Sequence, residues 1–276
     1  MVTEPLRSES CAGAWPAEWR IMRSAPADGA YNMAVDSALL ASARNRDFGV
    51  WRTYAWKRPT ISFGRNESVR SHFDAASLTA AGLMAVRRPT GGRALLHADE
   101  VTYSVTLPIA HQTPWTTVYA AVYSVLLSAL RALGVPAELS SDSSTPLLRP
   151  DGPVCFDQPA PGEIVVRGAK LVGSAVWRER GAYLQHGSIL LADSQHRLQH
   201  ARRSAQPTPP SAATLNACLT PPPAWDTVAT ALEEALRATV SARHSGALSG
   251  DAVPLDPNEI TRHEVRFRDP TWLWRR

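Results

Sequence analysis

The chain has 276 residues, 44% of them hydrophobic, which suffices for one large packed domain or two small ones. Its 29 Lys+Arg against 25 Asp+Glu leave a formal net charge of +4, a balance that steers acidic partners without naming one. The arginine pairs at 87/88, 202/203 and 275/276 are scattered, whereas a nucleic-acid reader gathers its charge in one basic stripe, so nucleic acid is not an expected partner.

The opening MVTEPLRSES carries acidic residues and no apolar h-region, and the longest apolar stretch, 120–133, is interrupted by serines and Arg131. Neither export nor membrane insertion is expected. Three cysteines, at 11, 155 and 218, form no C-x-x-C pair and leave one unpaired in any disulfide scheme, which points to a reducing cytoplasm.

Taken in chain order, Asp28 is placed to cap a helix whose apolar face carries Tyr31, Ala34, Val35, Ala38 and Leu39, with Asp36 and Ser37 off that face. This reads as a docked surface helix. Strands over 50–56 and 60–63 flank Lys57-Arg58-Pro59, and Gly64-Arg65-Asn66 makes the next turn; Trp51 and Trp56 read as core. Arg87-Arg88-Pro89 leads into Thr90-Gly91-Gly92-Arg93, before an extended 94–97. Two adjacent glycines serve either a hairpin turn or a loop wrapped around a ligand. Val101, Tyr103, Val105 and Leu107 alternate with Thr102, Ser104 and Thr106, the period of a half-buried strand.

Thr113-Pro114 opens an amphipathic helix with Val118, Val122, Val125, Leu126, Ala129, Leu130 and Leu133 on one stripe and Gly134 at its stop. Serine- and proline-rich 137–152 reads as a long loop that delivers the chain to Cys155. A hairpin is expected over 163–175 around Arg167-Gly168, then a strand over 183–191. A short helix near 212–219 and a last amphipathic helix through Trp225, Val228, Leu232, Leu236 and Val240 follow, and 260–276 is expected to pack back on the body. Helices inserted singly among adjacent antiparallel strands predict an α+β fold rather than a regular βαβ series.

The chemistry narrows by elimination. His196 and His200 lie at i and i+4 but lack a third ligand in register, so no metal site is expected and a solvated helix face is the better reading. P-loop, dinucleotide and nucleophile-elbow motifs are absent. What remains is a thiol, a lysine, His97 and His186, and a glycine-rich loop beside arginines. Only Lys57 and Lys170 among the 29 basic residues are lysines. Where arginine supplies nearly every charge, a retained lysine fits a need for an ammonium that can lose its proton; chance accounts for Lys57. Cys155 lies between Asp151-Gly152-Pro153 and Asp157-Gln158-Pro159, unlike a core cysteine. An approaching Lys170 would favour its thiolate and make it an acyl-accepting nucleophile.

Arg87-Arg88-Pro89-Thr90-Gly91-Gly92-Arg93 with His97, Cys155-Phe156, and Gly168, Lys170, Gly173-Ser174-Ala175 followed by Gln185-His186-Gly187-Ser188 together resemble the lipoate/biotin protein ligase superfamily, and within it the LipM-type octanoyl-[acyl-carrier-protein]:protein octanoyltransferases. Asn32-Met33-Ala34-x-Asp36 and Gly64-Arg65-Asn66 are weaker echoes. The resemblance implies a mixed, largely antiparallel sheet flanked by helices, in a catalytic domain of the lipoate/biotin ligase, class II synthetase-like fold over 19–245; 1–18 is expected to be a loose N-terminus and 246–276 an extension packing on that domain. It also implies that Cys155 is the acyl-thioester nucleophile and that Lys170 lowers its pKa. Arg88, Thr90, Gly91, Gly92 and His97 would form the binding loop, and Gly173, Ser174, Ala175 and His186 the opposite wall of an acyl tunnel.

The implied reaction takes octanoyl from acyl carrier protein and gives it to a lysine of a lipoyl domain or glycine-cleavage H protein, with no cofactor and no ATP. An ATP-dependent lipoate-protein ligase, a lipoyl-domain amidotransferase and a silent binding module on the same fold are the alternatives. Two departures from the family pattern, Ala160-Pro161-Gly162 before Glu163 and Val176 after Ala175, bear on loop shape and pocket contacts.

Overall fold

The computed structural model describes residues 15–141, 161–179, 181–203, 211–243 and 247–276; Cys11 and Cys155 lie outside them. The first half runs β1 (Glu18–Arg23), α1 (Gly29–Ala43), β2 (Phe48–Tyr54), β3 (Thr60–Phe63), α2 (Ala75–Ala80), β4 (Met84–Arg87), β5 (Leu95–His97), β6 (Glu100–Pro108) and α3 (Trp115–Ala132). Then come β7 (Glu138–Leu139), β8 (Ile164–Val166), β9 (Ala169–Lys170), β10 (Val172–Glu179), β11 (Ala182–Leu190), α4 (Arg197–His200), α5 (Leu215–Cys218) and α6 (Trp225–Arg243). The chain closes with β12 (Ala247–Ser249), α7 (Pro257–Arg268) and α8 (Pro270–Leu273).

Six strands in the order β10-β11-β6-β2-β1-β12 make the central sheet. Its pairs are antiparallel from β10 to β2 and parallel from β2 to β12. This is the mixed sheet flanked by helices that the resemblance implies. Two small three-stranded sheets, β4-β3-β5 and β7-β8-β9, lie outside it. Val101, Tyr103, Val105 and Leu107 face α3 and α6, where Val118, Val122, Val125, Leu126, Leu130, Leu232 and Leu236 complete the main core. Each such fully buried Val or Leu contributes about 1.5–3 kcal/mol relative to exposure. Gly134, at φ +86°, ends the α3 segment as expected.

Two burial expectations are corrected. β6 is not half-buried: Thr102, Ser104 and Thr106 are as enclosed as their apolar neighbours, because α1 covers that second face of the sheet. Nor is α1 a surface helix, since Asn32 through Leu40 are all buried. Its outer side is covered by α7, a helix beyond the segment read as the last one, and Phe267 and Ile260 of α7 pack with Met33 and Leu39 of α1. A helix enclosed on two sides needs no polar stripe.

Arg167 (φ 51°) and Gly168 (φ 77°) give the 163–175 hairpin two consecutive positive φ values, the type I′ geometry that matches strand twist. Its second arm is divided. Ala169 and Lys170 pair with Val166 and Val165, and Leu171 then donates to Ile164 O while its own carbonyl accepts from Leu190 N. From Val172 the chain has crossed into the central sheet, with Gly173 opposite Ser188 and Ala175 opposite His186. Lys170 therefore stands at the junction of two sheets. Among the described residues no helix is long and apolar enough to cross a membrane.

Candidate active site

A cavity with about 420 Å³ of empty space, counted out to its mouth, lies between α1, the loop 88–94 and the adjoining ends of β10 and β11. Arg88, Gly92, His97, Gly173, Ser174, Ala175 and His186 line it, together with Met33, Tyr54, Trp56 and Leu95. It shares Gly92, Ser174 and Ala175 with a wider outer cleft bordered by Gly91, Trp115, Tyr119, Glu163, Val176, Trp177 and Arg178. Trp56, read as core, is a cavity wall: its ring stacks on His97 with centroids 3.9 Å apart, and its Nε1 donates to Thr102 Oγ1.

The loop is held from inside. Arg88 Nε and Nη2 both donate to Gly91 O (3.0 and 2.8 Å), Nη2 donates to Arg93 O, and Nη1 donates to Ser62 O and Oγ. A Cβ on Gly92, which has φ +90°, would come within 2.6 Å of Arg88 Nη2, and one on Gly64 within 1.7 Å of Gly92 O. Glu67 closes the other side by accepting from Gly64 N and Ala94 N, each at 2.8 Å. Of the two readings of the glycine pair, the loop wrapping a cavity is the one adopted.

Two histidine–carboxylate pairs brace this loop. In the first, His186 Nδ1 donates to Asp36 Oδ2 at 3.0 Å and Thr90 Oγ1 lies 2.7 Å from Nε2. Asp36 also accepts from Arg52 Nη1 (2.7 Å), Ser104 Oγ (2.8 Å) and Tyr54 OH (3.0 Å). Burial alone would push the Asp36 carboxyl up, but Arg52, His186 and Ser104 outweigh it and hold the pKa below the usual range. His186 moves down, because burial, helped by the Arg88 and His97 charges, overcomes the pull of Asp36. A neutral imidazole with its proton on Nδ1 then accepts from the Thr90 hydroxyl. In the second pair His97 Nδ1 donates to Glu100 Oε1 at 2.8 Å, and Nε2 lies 2.7 Å from the same Ser62 Oγ that accepts from Arg88. Thr102 and Ser188 donate to that Glu100 oxygen as well.

Ser174 anchors the opposite wall. Its Oγ accepts from Tyr123 OH at 3.0 Å and sits 2.6 Å from Tyr103 OH. Tyr103 in turn accepts from Gln185 Nε2, whose Oε1 accepts from Tyr183 OH. Burial pushes all three phenols well up, so they remain neutral hydrogen-bonding groups. Gly187 makes room for this arrangement, since a Cβ there would lie 2.4 Å from Gly173 O and 2.7 Å from Ser174 Oγ.

Lys170 is 2% exposed, and its Nζ donates to Glu163 Oε1 at 2.7 Å. Glu163 borders the outer cleft, so the pair is set into the wall where the inner cavity opens. The expected approach of Lys170 to Cys155 lies outside the described residues. Of the site residues drawn from the sequence, Arg88, Gly92, His97, Gly173, Ser174, Ala175 and His186 face one cavity; Gly91 lines the outer cleft, Thr90 stands behind His186, and Lys170 is joined through Glu163. Sequence reasoning did not assign roles to Asp36, Ser62, Glu100 or Glu163. Asp36 carried a signal as part of the Asn32-Met33-Ala34-x-Asp36 echo, and Glu163 as the glutamate of the family pattern that follows the cysteine; Ser62 and Glu100 carried none. Cys218 is half-buried against the main core, a packing residue as read.

Comparison with known proteins follows the same lines. The lipoyl protein ligase A/B catalytic domain model matches residues 28–237. The chain is similar to the octanoyltransferase LipM of Kyrpidia tusciae, 41% identical over 180 residues that make up 63% of this chain and 66% of that protein. It is also similar to that of Bacillus subtilis, 38% identical over 181 residues, 63% of this chain and 65% of that one. The chain thus spans just under two thirds of the length of the curated relatives it matches. A bipartite lipoate protein ligase from Thermoplasma acidophilum superposes with a TM-score of 0.73 over 93% of this chain and 96% of that one, at 18% identity, a likeness of fold. On the match over residues 28–237, the chain belongs to the lipoyl protein ligase A/B catalytic domain family.

Proposed function

We propose that the chain is an octanoyltransferase of lipoate synthesis. It takes octanoyl from the phosphopantetheine thioester of acyl carrier protein and passes it to a lysine of a lipoyl domain or of glycine-cleavage H protein, through a thioester on Cys155 and without ATP. The observation that carries this reading is a small-residue cavity, walled by Gly173, Ser174 and Ala175, that opens beside the buried Lys170–Glu163 pair. The relatives named octanoyltransferase LipM support the same reaction.

In the first half-reaction the Cys155 thiolate attacks the thioester carbonyl, the new C–S bond forms as the old one breaks, and the pantetheine thiolate leaves and takes up a proton. In the second, the acceptor amine attacks the acyl-cysteine carbonyl; an amide forms, the amine loses a proton, and Cys155 returns as thiolate. Thioester to thioester to amide runs downhill, so no adenylate is needed. Glu163 fixes where Lys170 Nζ points, which lets one cation favour the thiolate and then the oxyanion of each tetrahedral intermediate. A cytoplasmic setting keeps the thiol reduced.

Incubation with octanoyl-carrier protein in the absence of ATP is expected to add one octanoyl mass to the protein, and Cys155→Ser to abolish transfer to a lipoyl domain. Modification of a lipoyl domain that requires ATP and survives Cys155→Ala would establish the ligase reading instead.

A further inference from the structure

Beside the outer cleft, three guanidinium groups gather around two tryptophans. Arg65 lies over Trp177 at 4.1 Å and Trp272 at 5.8 Å, while Arg266 and Arg275 lie over Trp272 at 3.7 and 4.3 Å. Trp177 is itself a cleft residue, and Arg65 N donates to Thr90 O of the binding loop at 2.8 Å, so the cluster rims the site. Among the described residues no carboxylate forms an ion pair with Arg65, Arg266 or Arg275. Glu179 bears on Arg266 without pairing with it, and accepts from Trp177 Nε1 at 3.1 Å. Beneath them Arg87 is fully enclosed, with Nη2 buried and unpartnered. The pKa of Arg87 is down to about 10 through burial and then through Arg275, Arg276 and Arg88, against an opposing pull from Glu67. Arg266 and Arg275 are likewise lowered, by burial first and then by neighbouring arginines.

Positive charges that crowd one another at the mouth of a cleft are relieved by an anion. Arg275 spends its Nη2 on Arg65 O and Asn66 Oδ1, and a guanidinium whose face is held by an indole presents its remaining N–H groups edge-on to a phosphate. Of the groups that must enter this cleft under the octanoyltransferase reading, on which this step rests, the acceptor brings an amine, which the cluster repels. The acyl donor brings a thioester on an arm that carries a phosphodiester. We propose that Arg65, Arg266 and Arg275, fanned over Trp177 and Trp272, form the site that binds the phosphate of the donor's pantetheine arm. Arg266 and Arg275 fall outside the stretch 28–237 matched by the family model, so two of the three come from the C-terminal extension.

The test uses two small donors, octanoyl-phosphopantetheine and octanoyl-pantetheine, with the full chain and its self-acylation followed by intact mass. The wild type is expected to show a KM about tenfold lower for the phosphorylated donor, as charge-assisted hydrogen bonds to one phosphate provide. Arg65→Ala with Arg275→Ala removes that preference and leaves octanoyl-pantetheine kinetics unchanged. The single Arg275→Ala, at an exposed position, halves the logarithm of the preference and serves if the double variant is unstable. A wild type indifferent to the phosphate, variants that keep its preference, or variants that slow both donors equally, as a purely structural clasp would, overturn the site. Failure of both donors to acylate Cys155 overturns the octanoyltransferase reading and the site with it.

Discussion

Asp36→Asn is the substitution that most directly probes what holds the cavity in place. The exchange conserves volume, so no cavity is created, yet it removes the charge that balances Arg52, and both partners are 0% exposed and 2.7 Å apart. Breaking one side of such a buried pair costs about 3–5 kcal/mol, because the remaining charge is left without compensation. Arg52 keeps bonds to Asn32 O, Asn32 Oδ1 and Ser24 Oγ, which hold its geometry but supply no negative charge. The asparagine also presents an N–H₂ where Tyr54 OH and His186 Nδ1 now donate. His186 answers by moving its proton to Nε2, which reverses the bond to Thr90 and loosens the loop. At roughly 2–4 °C per kcal/mol for a domain of this size, the melting temperature is expected to fall by roughly 6–20 °C, read by calorimetry at pH 7. Adding Arg52→Met should recover part of the loss, since the uncompensated charge is then gone. A single variant melting within about 3 °C of wild type would refute the view that this ion pair is electrostatically essential.

His186 has a lowered pKa, so its contribution to stability is present above the unfolded value of about 6.5 and is lost as pH falls through that value toward the folded one. Wild type should therefore lose stability between pH 7 and pH 5.5 more steeply than His186→Gln, and parallel melting curves against pH would contradict this. Gly187→Ala is expected to cost about 1–3 kcal/mol, because its Cβ meets Gly173 O and Ser174 Oγ inside contact distance, whereas Gly91→Ala, with nothing within 4 Å, should be neutral within about 0.5 kcal/mol. Thermal denaturation of the two variants side by side checks the difference.

Sequence patterns resolved the elements whose neighbours are local. The α3 stripe, the Arg167-Gly168 turn and the small-residue start of β10 follow from spacing within about 20 residues, and each is where it was expected. The burial of α1 and of the second face of β6 was not legible. It depends on α7, which returns from more than 200 residues downstream to cover α1. The same distance hides the site's carboxylates. Asp36 reads as a polar residue off an apolar face until Arg52, Ser104 and His186 are brought to it from three strands, and His186 alone lies 150 positions away. Glu163 reads as the first residue of a hairpin, and only the register, with Lys170 opposite Val165, shows it to be a diagonal neighbour of Lys170 on one face of the ladder.

The polar inventory around the cavity explains how so many charged and hydroxylated residues can enclose a space suited to an alkyl chain. Under the proposed function the occupant is the alkyl chain of an octanoyl group, which offers no hydrogen bonds, so any donor or acceptor aimed at it unsatisfied would hold water or cost about 1–3 kcal/mol on losing it. Here the wall groups are satisfied by one another. Arg88 spends its guanidinium on Gly91 O, Arg93 O and Ser62; His186 is engaged at both nitrogens by Asp36 and Thr90; His97 is engaged by Glu100 and Ser62; and Ser174 is met by two tyrosines. With those groups engaged, the cavity they line also meets Gly92, Gly173 and Gly187, Ala175, the Met33 and Leu95 side chains and the rings of Tyr54 and Trp56. The buried polar networks are therefore the foundation of an apolar lumen rather than its chemistry. Under the proposed octanoyl transfer, the same logic puts the reacting groups at the mouth, beside the Lys170–Glu163 pair, and not among the more numerous titratable residues inside.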